Sequence, residues 1–127
     1  MPWQVVYRAD LQFVETSYRG NMLAEELRAA FDETVALGRT HNAQRYLGDC
    51  TALQGGHSIV DLYELAKLMA GLVPPGFKEA VLLPQLTATL QDVQFWETAC
   101  FNLGLLVRVF ADRAAAVAWL CDNDAPQ

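Results

Sequence analysis

Basic charge is scarce in this chain. Nine Lys and Arg stand against fifteen Asp and Glu, a formal net charge of −6, and the cations are scattered along the sequence. Nucleic-acid binding needs a basic stripe that displaces counterions from phosphates, so that class is excluded. Attraction to an anionic membrane surface is disfavoured for the same reason. Cysteine is sparse as well: Cys50, Cys100 and Cys121 are odd in number and far apart. They form neither a CxxC metal pair nor a disulfide framework, so no metal and no cofactor is expected, and a reducing cytoplasmic setting is the default. No apolar run reaches the about 18 residues that a membrane span needs. The opening MPWQVVYRAD lacks a basic region followed by an apolar stretch and a small-residue cleavage site, so no export signal is read there. Repeats, low-complexity tracts, a GxGxxG and a P-loop are all missing.

What the chain does have is apolar content, 53% of 127 residues, against a norm of about 45–50%. A sheet covered by helices on both faces uses such a surplus, because its strands are buried twice over. The segments WQVVYR and LQFVETSYR are rich in β-branched and aromatic residues around Ala9-Asp10 and predict an antiparallel hairpin. NMLAEELRAAFDETVALG has helical spacing, with Asn21 as the N-cap and Gly38 as the stop. RYLGDC is a short third strand, SIVDLYELAKLMAGL a helix closed by Pro74-Pro75-Gly76, and KEAVLLP a central buried strand. LQDVQFWETACFNLG is a helix capped by Gly104, LLVRVF a fifth strand, and ADRAAAVAWLC a closing helix with Asp112 at its N-cap. The order β-β-α-β-α-β-α-β-α predicts an α/β fold. Its five-stranded sheet is mostly parallel, with an antiparallel first strand at or near an edge and helices on both faces. Residues 1–121 read as one domain and 122–127 as a short polar tail.

YRGNMLAEEL, SIVDLYELAKL, KEAVLLP and FWETACFNLGLLVRVFADRAAAVAWL, taken in this order, resemble the STAS domain, the sulfate-transporter and anti-sigma-factor-antagonist module. The likeness is to its SpoIIAA-like branch of small stand-alone bacterial proteins and covers essentially the whole chain. The resemblance implies a non-enzymatic regulatory domain that works by binding a protein partner or a second copy of itself. In the family, a serine at the start of the second helix, in an Asp-Ser-Ser/Thr-Gly setting, is phosphorylated to control partner binding. Ser58 falls at that helix start, between Gly56-His57 and Ile59-Val60, so the surrounding pattern is degraded. A related fold builds lipid-transfer domains, which by analogy makes a carrier or sensor of a small apolar or lipid-like ligand the alternative.

The densest chemistry lies in GDCTALQGGHSIVD. Ser58 and Asp61 fit the Ser-x-x-Asp helix start, in which both side chains are used by backbone amides. His57 then sits just outside the cap on a glycine-loosened loop, where a solvated imidazole is expected. A thiol hydrolase would need Cys50 as nucleophile, His57 as base and Asp49 or Asp61 as orienter, yet no cation near Cys50 in sequence lowers its pKa. This is the least favoured class, and no catalytic residue is assigned. In open parallel sheets ligands sit beyond the carboxyl ends of the strands. That rule gathers Asp49, Thr51, Gly56, His57, Ser58 and Thr87 as candidate ligand-binding residues. Phe95, Trp96 and Leu103 mark a broad apolar stripe on the third helix, a candidate surface for association or for an apolar ligand, which the loop Leu83 to Leu90 would extend.

Overall fold

The computed structural model describes residues 2–84 and 87–122, with the backbone alone at 87 and 88. Strands β1 (Trp3–Arg8) and β2 (Phe13–Asn21) pair antiparallel, as the alternation predicts. Leu11 and Gln12, expected in the second strand, belong to the turn instead. Gln12 takes a φ of 60° and donates its N–H to the Arg8 carbonyl.

Helix α1 (Ala24–His41) corrects two expectations. Asn21 is not its N-cap but the last residue of β2, and Glu26 Oε1 takes the Leu23 N–H at 2.9 Å. Gly38 does not end the helix. It is buried where Tyr46 of β3 (Arg45–Gly55) packs so tightly that an added Cβ would lie 2.1 Å from the phenol oxygen. The helix closes on Asn42, whose φ of 52° is left-handed.

The third strand also runs further than RYLGDC. Residues 51–55 stay extended because β2 is long enough to pair with them, Arg19 opposite Ala52 and Asn21 opposite Gly55. Helix α2 (Ile59–Ala70), β4 (Lys78–Leu82), α3 (Thr87–Asn102), β5 (Leu106–Phe110) and α4 (Arg113–Leu120) complete the order. Helix α3 starts three residues ahead of the expected Leu90. The spatial strand order is β1-β2-β3-β4-β5, with β1 antiparallel and the rest parallel. Helices lie on both faces, as the surplus of apolar residues implied.

The faces are unequal. Helices α1, α2 and α3 share one core with Val14, Tyr46, Cys50 and Val81 from the sheet. On the other face α4 stands alone over Phe13, Leu47, Ala80 and Leu82. Alternation along β4 puts Val81 on the first face and its neighbours Ala80 and Leu82 on the second, all three buried. Of the proposed tail only Asp122 is among the described residues.

Candidate functional site

The start of α2 is built as its sequence suggests. Ser58 Oγ accepts from the Asp61 N–H at 3.1 Å, and Asp61 Oδ2 accepts from the Ser58 N–H at 2.8 Å. Hydrogen bonding to Ser58, its backbone N–H above all, holds the Asp61 carboxyl below the usual carboxylate range. Ser58 itself is exposed. Gly56, at a φ of 97°, presses against the backbone of Met22, where an added Cβ would meet the amide nitrogen at 2.7 Å.

That close approach carries the next side chain inward. The His57 imidazole is not solvated, as its loop position suggests, but almost wholly buried, 1% exposed, with Nδ1 3.2 Å from the Met22 carbonyl oxygen. Its Nε2 has no hydrogen-bond partner, and the nearest Asp92 carboxylate oxygen is 3.7 Å away, beyond hydrogen-bond reach.

His57 and Asp92 line a chamber of about 70 Å³ beneath α2 and α3, together with Cys50, Tyr18, Glu79 and Trp96. Its wall is continuous with that of a cleft of about 650 Å³ between α1, α2 and the sheet, for Tyr18, Leu65, Glu79 and Trp96 border both spaces. Phe31, Val35, Met69 and Phe77 give the outer cleft a largely apolar lining. Glu79 projects from β4 at the junction. One carboxyl oxygen accepts from the Trp96 indole N–H at 3.1 Å, and the other lies over Gly48, where an added Cβ would stand 3.7 Å from it. Burial pushes the Glu79 carboxyl up to about 7 despite that hydrogen bond. Burial, reinforced by Cys50 and Glu79, also raises the Tyr18 phenol.

The other candidates divide. Asp49 Oδ1 accepts from the Thr51 N–H at 3.0 Å and the Thr51 hydroxyl at 2.6 Å. Its remaining oxygen lies 4.0 Å from Arg113, on the α4 side of the sheet and away from the cleft. Thr87 opens α3, but its side chain lies outside the described residues, as do Gln85 and Leu86 of the expected loop surface. Phe95, Trp96 and Leu103 are half-buried against the core, whereas Phe101, which the stripe did not include, is 76% exposed. Cys50 is buried, and burial together with Glu79 and Asp49 drives its thiol far up. No group of three metal-ligating side chains occurs among the described residues, and no described helix is long and apolar enough to cross a membrane.

No motif or spacing in the sequence singles out Tyr18, Glu79 or Asp92. Only Glu79 left a trace, as a carboxylate interrupting the apolar run KEAVLLP.

No protein-family model and no curated protein matches the chain. Among solved structures it is similar to an uncharacterized protein of the DUF3478 family with a SpoIIAA-like fold from Shewanella loihica PV-4. The two share 18% identity and a TM-score of 0.60 over 94% of this chain and 92% of that one. Strand order, the single antiparallel pair and this likeness together give the chain a SpoIIAA-like α/β fold.

Proposed function

We propose that the protein is a non-enzymatic, cytoplasmic binding domain whose cleft takes a small, mostly apolar molecule. The observation that carries this reading is the apolar cleft of about 650 Å³ leading to a few converging polar groups. Ligand sites have this composition and run to about 300–1,000 Å³. Two walls of the cleft are helices α1 and α2, so occupation would bear directly on their packing, which suits a regulatory domain. Binding rather than covalent chemistry is supported by Cys50, since a thiol raised by burial and neighbouring carboxylates gives almost no thiolate near neutral pH.

The test is titration with the neutral fluorophore Nile red, together with native mass spectrometry of protein purified from cells. Saturable one-to-one binding is expected, lost in Val35→Trp, which fills the cleft, while circular dichroism stays unchanged. Binding that never saturates, or that survives Val35→Trp in a folded variant, would sink the reading.

A second reading, association with a protein partner or another copy, is favoured by Phe101 and Leu106, 76% and 51% exposed. Such contact would be made by side chains rather than by strand addition at β5, because Glu97 Oε2 already takes the Val109 N–H at 2.9 Å.

A further inference from the structure

The polar groups at the inner end of the cleft are nearly all acceptors. The Met22 carbonyl can only accept, so in the neutral ring the proton that serves the 3.2 Å contact sits on His57 Nδ1. That leaves Nε2 as a buried lone pair with no donor in reach. Asp92 adds a carboxylate 3.7 Å from it, and Glu79 keeps one oxygen unused by Trp96, lying over Gly48 beside the Tyr18 ring. Against these acceptors the chamber offers as free donors the Tyr18 hydroxyl and the Cys50 thiol, the Trp96 N–H being spent on Glu79 and the His57 Nδ1 proton on Met22, and neither Lys nor Arg borders it. A buried acceptor without a donor costs about 1–3 kcal/mol, so the chamber is complementary to a group rich in N–H.

Resting on the cleft as the binding site, we propose that its ligand carries a basic nitrogen, a protonated amine on an apolar body. The nitrogen would sit among Glu79, His57 Nε2 and Asp92, and the body would lie along the outer cleft. An ammonium fits a chamber of about 70 Å³, while an alkyl or aryl body requires the larger space outside. Trp96 lines both spaces and places an aromatic ring beside the charge, a favourable pairing for a cation. A carboxylate in the same place would face Glu79 and Asp92 with no cation to offset them.

The experiment compares octylamine, octanol and octanoate by isothermal titration calorimetry near pH 7.5. Octylamine is expected to bind at least about tenfold more tightly than octanol, a difference near 1.4 kcal/mol, with octanoate weakest. Glu79→Gln keeps an acceptor for Trp96 and should lower octylamine affinity about tenfold, as should Asp92→Asn. Asp32→Asn, on the outer face of α1, should leave it unchanged, which separates the chamber from the general pull of an acidic protein. Octanoate binding as well as octylamine, or octylamine affinity indifferent to both chamber variants, would overturn the amine and leave the cleft reading standing. If none of the three binds, the cleft reading falls and this proposal with it.

Discussion

Glu79 places an ionisable group in β4 just ahead of the buried Ala80, Val81 and Leu82, and the fold bears the cost. Its folded-state value of about 7 lies above the unfolded carboxyl at 4.5. Between those values the folded protein holds a proton that the unfolded chain releases, so stability falls as pH rises through that window and levels off above it. Glu79→Gln removes the effect. Unfolding free energies from urea titration should coincide with the parent below pH 4.5 and exceed it at pH 8 by up to about 3 kcal/mol. Parallel curves across the window would show that Glu79 is not the source of the slope. Glu15 has the opposite sign. Burial would raise it, but hydrogen bonds from Arg113 and Arg8 outweigh burial and hold it below the usual range. Its contribution is present above the unfolded value and disappears as acid titrates the folded carboxyl. Gly56 is a third sensitive position, since Gly56→Ala combines an unfavourable φ with a clash against Met22. A loss of at least about 2 kcal/mol is expected by chemical denaturation. Of the candidate site, the Ser58–Asp61 pair was legible because capping is local. The chamber was not, because His57 acquires its surroundings from Met22, 35 positions away, and from Asp92, and no short stretch of sequence records that.

Among the elements, α4 depends most on one side chain. Eight residues are too few for a helix to persist alone in water. It is held by Ala116 and Leu120, both buried, and by Arg113, whose guanidinium makes two hydrogen bonds to the carboxylate of Glu15 on β2, at 3.0 and 2.7 Å. Arg113→Ala should cost about 2 kcal/mol and speed amide exchange across α4 before any other helix. Uniform acceleration throughout the protein would mean that α4 does not open as a unit. Helix α2 offers a milder case, in which Ser58→Ala removes a cap worth about 1 kcal/mol. The sequence was most readable at this scale. Alternation, helical spacing and the Asp112 and Gly104 signals located every element in order, since each reflects chemistry within a few residues. Errors arose where a distant partner decided the boundary. Gly38 looked like a stop but is the hollow that receives Tyr46, and residues 51–55 looked like a loop because the pairing that extends them belongs to β2.

At the scale of the whole molecule, a charge of −6 and an exposed apolar pair oppose one another. Phe101 lies in the last turn of α3 and Leu106 opens β5, on either side of a turn at Gly104, whose φ of 82° brings the chain back toward the sheet. Both residues belong to the rim of one shallow surface cavity of about 710 Å³ that also includes Arg108 and Trp119, so they form a patch and are not scattered single exposures. Two copies meeting there would bury apolar surface while bringing like net charges together. Salt screens that repulsion, with a Debye length near 10 Å at about 0.1 M falling to about 3 Å at 1 M, and leaves the apolar contact intact. Self-association through this patch should therefore strengthen as salt rises, whereas an interface made of ion pairs would weaken. Light scattering across a concentration series at low and high salt measures the difference. Phe101→Ser should return the molecule to a monomer under every condition without changing its unfolding free energy by more than about 0.5 kcal/mol, because the ring contributes little to the core. A parent protein that stays monomeric at high concentration and high salt would reserve the patch for a partner other than itself.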